Sequence, residues 1–217
     1  MRGITIIFNE TEIHTGDDLD LVQEKKTIEK PTIQSHTVQV PGRNGLLNLT
    51  RGLTGKVTYY NRALSFQYFG SGDREHLLEL DDFMSKYHGQ TIRIIDDDRP
   101  GYYYEGEASV STTLNPGYIT IVLNVDAQPF RLKTKPTVLT RTIDNATIKL
   151  YLENESIDVI PTITVMDGNV KIALNGAEVS LRDGTYTVES IVLLAGINVL
   201  TVSGSGTVIF EYQEGAI

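Results

Sequence analysis

The chain of 217 residues contains no cysteine and no tryptophan. The lack of cysteine excludes disulfide bonds, thiol catalysis and zinc sites built from cysteine ligands. No apolar run approaches the roughly 20 residues that a membrane-spanning helix needs. The first residues, MRGITIIFNE, lack the small-residue cleavage site of a signal peptide. We therefore expect neither a membrane segment nor a secretory leader.

Basic residues are also too few for a nucleic-acid-binding surface. The sequence has 19 lysine and arginine residues against 28 aspartate and glutamate residues, which gives a net charge of −9. Binding through phosphate contacts requires a basic patch or stripe, and neither half of the chain contains one. The apolar fraction of 40% and the charged fraction of 22% are typical of a folded globular protein.

The residues that usually carry metal or catalytic chemistry are few and scattered. The four histidines show neither His-x-His nor His-Glu-x-x-His spacing; they are His14, His36, His76 and His88. The stretch 17–20, DDLD, lacks the later glycine and glutamate of a calcium loop. A strand pattern, not a helix, follows Gly204-Ser205-Gly206, which argues against a phosphate-binding loop and favours a turn between strands. We predict no metal, no cofactor and no catalytic site, and hence not an enzyme.

What the sequence has in abundance is two-residue alternation, the pattern of half-buried strands. Ile119, Ile121, Leu123 and Val125 fall on one face of a predicted strand. Downstream, Asp167-Gly168, Asn175-Gly176 and Asp183-Gly184 recur at intervals of eight residues. Such dipeptides tolerate the positive φ angles of tight hairpin turns, so this spacing predicts a meander of short antiparallel strands.

One segment departs from the alternation. Over residues 73–88 the apolar residues recur in steps of three and four, which predicts an amphipathic helix; they are Leu77, Leu80, Met84 and Tyr87. Asp73 is suited to cap the start, and Gly89 stands where a left-handed cap would end the helix. We expect this to be the single substantial helix, packed on the face of a sheet.

The chain is predicted to form two β domains. Residues 1–132 would be an N-terminal β-sandwich or split barrel with the helix and an extended arm at 41–55. A linker at 133–139, which includes Pro136, would lead to a C-terminal β-sandwich at 140–217. The arm, PGRNGLLNLTRGLTG, holds four glycines, and its predicted subunit-contact residues are Pro41, Arg43, Asn44, Leu46, Leu47, Leu49 and Arg51.

The stretch 96–106, DDDRPGYYYEG, is the strongest candidate for chemistry. Asp96, Asp97 and Asp98 could supply two carboxylates for acid/base work, as in a carboxylate hydrolase. Adjacent strand residues point to opposite faces, however, and residues in a turn diverge. We therefore predict that the turn scatters these acids.

The tyrosines after the turn are predicted to divide between two faces. Tyr102 and Tyr104 would lie on the core face of a strand and Tyr103 on the wet face. A sugar-binding platform needs several rings on one exposed face, so core packing is favoured. The region is predicted to be a meander of three strands at residues 91–95, 102–110 and 118–125.

The order of these parts resembles the distal tail (Dit) protein family of long-tailed, siphovirus-type phages. The order comprises an apolar strand at residues 3–9, VPGRNG at 40–45, the single helix, RIIDDDRPGYYYEGEASV and an all-β tail. The resemblance covers most of residues 1–132, and its marker is the hairpin with Asp97, Pro100, Gly101, Tyr102 and Tyr104. The last eighty residues resemble, more loosely, the galectin-like sandwich of that family.

The resemblance implies a structural baseplate protein and virion component. Members of the family form a homohexameric ring, single or stacked, that joins the tail tube protein to a tail-associated (tail fibre or lysin) protein and supports host attachment. Receptor-binding proteins would be further partners, with assembly in the bacterial host cytoplasm and no role for membranes or nucleic-acid sequence.

Two other functions stay open. One is a carbohydrate-binding adhesin that recognises host cell wall through the C-terminal sandwich, whose aromatic residues are Tyr151, Tyr186, Phe210 and Tyr212. The other is a hydrolase centred on residues 96–107.

Overall fold

The computed structural model describes residues 2–42, 44–50 and 57–217. The contacts between residues divide the chain into an N-terminal unit, which ends at Arg131 and also includes Ile217, and a C-terminal unit, Leu132–Ala216. In the described residues strands dominate and a single helix is present, which confirms the predicted mainly β class. No helix in these residues is long and apolar enough to cross a lipid bilayer.

The N-terminal unit is built on one large antiparallel sheet. Its elements in chain order are β1 (Ile4–Phe8), β2 (Thr11–His14), β3 (Val22–Ile28), β4 (Thr37–Gln39), β5 (Leu46–Asn48), β6 (Arg62–Ser71), α1 (Arg74–Ser85), β7 (Thr91–Asp96), β8 (Tyr102–Asn115) and β9 (Tyr118–Ala127). Seven strands follow one another across the sheet in the order β2-β1-β7-β8-β9-β6-β3. The predicted meander of three strands is confirmed as β7, β8 and β9.

Alternation along the strands places the core on the face that carries α1. In β6 every second residue is buried, at Leu64, Phe66 and Tyr68. In β9 the buried face is the predicted one, which begins at Ile119. Leu77, Leu80 and Met84 of α1 join the same cluster. Removal of this apolar surface from water is the main term that holds the unit together.

The helix begins as predicted but ends early. The backbone N–H of His76 donates to Asp73 Oδ1 at 3.0 Å, which satisfies one of the free amides of the first turn. The helix ends at Ser85, and tight turns follow it. Gly89 has the positive φ of +74° expected of a left-handed cap, but it lies beyond these turns and donates to Ala108 of β8.

β4 and β5 form a separate two-stranded sheet. Val38 pairs with Leu47 and Gln39 with Leu46. Outside these two strands, an isolated bridge pairs Ile33 with Tyr59. We call the described residues 32–50 and 57–60 the arm hairpin. Among the predicted arm residues, Arg43 and Arg51 lie outside the described residues.

The C-terminal unit contains four long strands. Its elements are β10 (Arg131–Lys133), which begins at the unit boundary, β11 (Thr137–Asn154), β12 (Thr162–Leu174), β13 (Ala177–Thr187), β14 (Gly196–Tyr212) and β15 (Gly215–Ala216). The sheet has the order β11-β14-β12-β13. The ladder between β11 and β14 runs from the pair Thr137–Tyr212 to the pair Asn154–Gly196. Beside the first pair, Lys133 Nζ lies 2.8 Å from Glu214 Oε1.

The prediction of short strands in this unit is wrong. Of the three predicted turn dipeptides, only Asn175-Gly176 joins two strands, since Asp167-Gly168 lies inside β12 and Asp183-Gly184 inside β13. The stretch 204–206 likewise lies inside β14 and does not form a turn. The ladders shift register at these levels, as at β-bulges. Asp167, Gly184, Gly204 and Gly206 have a positive φ there, as residues of tight turns often do.

The glycines at these shifts are required by close approach of the backbones. A Cβ atom on Gly204 would lie 2.3 Å from the carbonyl oxygen of Asn169, and one on Gly168 would lie 2.1 Å from that of Ser205. Gly168, Gly204 and Gly206 approach the facing backbone in this way, and Gly184 lies beside the register shift in β13. We call these four residues, which cross β12, β13 and β14, the glycine band. Buried residues on both sides of it belong to one core cluster, so the long strands wrap a single core.

Candidate interaction sites

The acidic turn after β7 directs its carboxylates to two places. Both oxygens of the buried Asp96 accept hydrogen bonds from Lys26 Nζ, at 2.8 and 3.0 Å, and Asp98 Oδ2 accepts another at 2.5 Å. Asp97 Oδ2 accepts from the backbone N–H of Gly3 at 2.7 Å and lies 3.1 Å from His14 Nε2.

The prediction that all three acids scatter is therefore wrong for Asp96 and Asp98. The chain curls back after β7, because the N–H of Asp98 donates to Asp96 Oδ1 and that of Arg99 to the Asp96 carbonyl. Turns of this kind, with an aspartate side chain as acceptor, bring nearby carboxylates together. Lys26 of β3, seventy residues earlier, then bridges them.

This arrangement suits an ion pair better than acid catalysis. The hydrogen bond and charge of Lys26 lower the pKa of Asp98, whereas a general acid requires a raised carboxyl pKa. Across the described chain, no group of three histidine, aspartate or glutamate side chains is arranged to hold a metal ion. The stretch 96–106 offers little support for a hydrolase.

The three tyrosines of the hairpin each lie beneath an arginine. Tyr104 is buried, and the guanidinium carbon of Arg62 is 5.4 Å from its ring centre. Arg131 lies 5.1 Å from the ring of Tyr102. On the opposite face of β8, Arg93 lies 5.0 Å from the ring of Tyr103 and pairs with Glu105 at 2.7 Å. The tyrosines alternate between two faces as predicted, but Tyr102 and Tyr103 are both half-buried and only Tyr104 packs in the core. Pro100 and Gly101 lie in the turn before them.

Tyr104, Arg62 and Arg131 line a cavity of about 530 Å³ that we call the arginine pocket. Its basic residues are Lys26, Lys30, Arg62, Arg99 and Arg131. Its acidic residues are Glu29, Asp96 and Asp98. Five basic against three acidic side chains give the lining a formal side-chain charge of +2, opposite in sign to the −9 of the chain.

The arm hairpin exposes apolar side chains to solvent. Leu46 is 61% exposed and Val38 is 48% exposed, and Ile33 and Tyr60 near the base are similarly accessible. Pro41 and Asn44 are exposed, and Leu47 and Leu49 are half-buried. A two-stranded ribbon is at best marginally stable in water by itself, so an apolar ribbon of this kind is suited to be covered by another chain.

In the C-terminal unit only one predicted aromatic is well exposed. Tyr151 of β11 is 64% exposed and pairs across the ladder with Val199, while Phe210 and Tyr212 are buried and Tyr186 is half-buried. Stacking of sugar on several rings is therefore not available from these four residues.

No protein-family model matches the sequence, and no curated protein is significantly similar to it. The fold itself is that of a phage Dit protein, a β-rich chain with a single described helix. One solved structure that shows this is the Dit protein, gp 19.1, of SPP1, described as a paradigm of the hub adsorption apparatus in phages that infect Gram-positive bacteria. The two share a TM-score of 0.68 and 14% sequence identity over 99% of each chain. The resemblance in the order of parts is thus confirmed at the level of the fold.

Proposed function

We propose that this chain is a structural component of a phage tail tip. It forms a ring of six copies that joins the tail tube to a tail-associated protein, and it is assembled in the cytoplasm of the bacterial host. The observation that carries the proposal is the likeness in fold to a hub protein over 99% of both chains. In this proposal the N-terminal unit forms the ring, and the C-terminal unit, galectin-like by resemblance, holds further tail proteins.

The arm hairpin supports the ring. A closed ring requires each copy to present two complementary surfaces, and an apolar ribbon that is not part of the main sheet can lie on a neighbouring copy. Leu46 and Val38 would lose most of their exposed apolar area there, and burial of one such side chain contributes about 1.5–3 kcal/mol.

The test is the mass of the intact chain in solution. We expect native mass spectrometry to show six copies, and negative-stain images to show rings with a central hole. The variant Leu46→Asp should yield smaller species, because it places a charge in the apolar contact. Leu78→Asp is the matched control, since Leu78 is an exposed leucine on α1, away from the arm hairpin.

A wild-type chain that stays monomeric at high concentration would refute the ring. Rings that survive Leu46→Asp unchanged would refute the role of the arm hairpin and leave the ring in place.

A second function, a cell-wall saccharide adhesin, is favoured only by the exposed Tyr151. If it holds, the intact chain should bind purified host cell wall saturably and lose that binding in the variant Tyr151→Ala. Absence of saturable binding by the wild type would exclude this function.

A further inference from the structure

Arg62 is a buried cation without a matching anion. The residue is only 3% exposed, and its Nε atom has no hydrogen-bond partner. None of the carboxylates in the described ranges forms an ion pair with it. A buried charge is costly unless it is paired and hydrogen-bonded. An anion bound beside Arg62 would therefore stabilise this arrangement.

Arg131 repeats the pattern in the same pocket. Its Nε atom is also buried without a partner, and its guanidinium is fixed over the ring of Tyr102 as that of Arg62 is over Tyr104. Burial lowers the pKa of Arg62; the contact with Tyr104 opposes this effect, and the charges of Arg131 and Arg99 add to it. The two guanidinium groups therefore repel each other.

Two of the three acids that line the pocket are already engaged. Asp96 and Asp98 both accept hydrogen bonds from Lys26, which leaves Glu29 beside Lys30 on the lining. The excess of positive charge in the pocket thus belongs to its arginines.

We propose that the arginine pocket binds a carboxylate side chain from a second copy of this chain. The inference rests on the proposed ring, in which a carboxylate on one surface and this pocket on the other would join neighbouring copies head to tail. A planar guanidinium binds a carboxylate through two parallel hydrogen bonds. The chain carries nine more acidic than basic residues, so every copy supplies such carboxylates.

The test compares the assembly of two methionine variants with that of the wild type. Arg62→Met keeps an apolar stem over Tyr104 and removes the charge, and Arg131→Met tests the same prediction should the first variant fail to fold. Arg93→Met is the matched control, because Arg93 also stacks on a tyrosine but already pairs with Glu105. The measurement is mass photometry of the intact chain over a dilution series.

We expect the protein concentration at which rings dissociate to rise tenfold or more in Arg62→Met and to change less than twofold in Arg93→Met. The thermal midpoint of the dissociated Arg62→Met chain should equal or exceed that of the wild type, because an unpaired buried charge has been removed. That second readout separates a binding role from a purely structural one.

Several results would overturn the proposal. Rings of Arg62→Met and Arg131→Met that dissociate at the wild-type concentration would show that no copy fills the pocket. A lower thermal midpoint with intact rings would mean that a carboxylate of the same chain fills it, such as that of Glu29, which also lines the pocket.

A third outcome separates this inference from the proposed function. If the wild type forms no rings, the proposed function fails first. Saturable shifts of the arginine Nε–H resonances of that monomer with N-acetylglutamate would then assign the carboxylate to a different protein.

Discussion

The glycine band makes a sharp prediction about the C-terminal unit, which the variant Gly204→Ala tests. Gly204 has a φ of +121°, which an alanine adopts only with strain, and the new Cβ would lie 2.3 Å from the Asn169 carbonyl oxygen. That oxygen belongs to the neighbouring strand β12 and cannot move without disturbing the ladder. Backbone strain costs about 1–3 kcal/mol and overpacking against fixed atoms a similar amount. We expect a loss of about 3–5 kcal/mol in the free energy of unfolding.

Gly176→Ala is the matched control. Gly176 has a φ of +86°, but a Cβ atom there would meet nothing within 4 Å. Only the backbone strain remains, which we expect to cost about 1 kcal/mol. The difference between the two variants isolates the contact across the strands.

Hydrogen exchange of the intact chain is the suitable assay, because it reports stability segment by segment. Amides of β12 and β14 should lose protection strongly in Gly204→Ala and slightly in Gly176→Ala, while those of β8 and β9 serve as an internal reference. Equal losses in the two variants would show that the strands move apart at little cost, and the argument from close approach would be wrong.

The remaining predictions concern the N-terminal unit. Lys26→Met should lower the free energy of unfolding by about 1–3 kcal/mol, because it leaves the buried Asp96 without its ammonium; urea denaturation measures this. Burial acts to lower the pKa of Lys26, but the hydrogen bonds and charges of Asp96 and Asp98 outweigh it and raise the pKa above its usual 10.5. The stability that this shift provides is present below pH 10.5 and is lost as the pH rises through the raised value, so the wild-type thermal midpoint should fall more steeply there than that of Lys26→Met. Asp73→Ala should cost about 1 kcal/mol through the lost helix cap, and equal stability of Asp73→Ala and the exposed control Asp82→Ala in urea would contradict the capping role.

Local patterns in the sequence predict where the helix and strands lie better than they predict which strands pair. The strand at Ile119 and the capped helix at Asp73 follow from periodicity and capping chemistry, which act over a few residues. Asp167-Gly168 and Asp183-Gly184 are dipeptides typical of tight turns, but the positive φ that Asp167 and Gly184 adopt serves bulges and turns alike. Only the pairing of β12 with β14, which is not local, decides between them.

Local sequence patterns do not predict the arginine pocket, because its residues are far apart in the chain. Arg62, Asp96 and Arg131 meet only once the sheet has formed. One signal was present in the sequence: Arg62 stands in step with the core residues Leu64 and Phe66. An arginine on the buried phase of a strand indicates either an internal ion pair or a site that awaits an anion.

The register of β11 and β14 has a mechanical consequence. Because the first residue of β11, Thr137, pairs with the last of β14, Tyr212, the chain enters and leaves this ladder at the same end. A pull along the chain would therefore open the ladder one pair at a time, like a zipper, and would never shear its hydrogen bonds together. The ion pair of Lys133 with Glu214 stands at the mouth of that zipper and would be the first contact to bear the load. A unit connected in this way resists load through the contacts made on the faces of its sheet, and it resists poorly when its two chain ends are pulled apart.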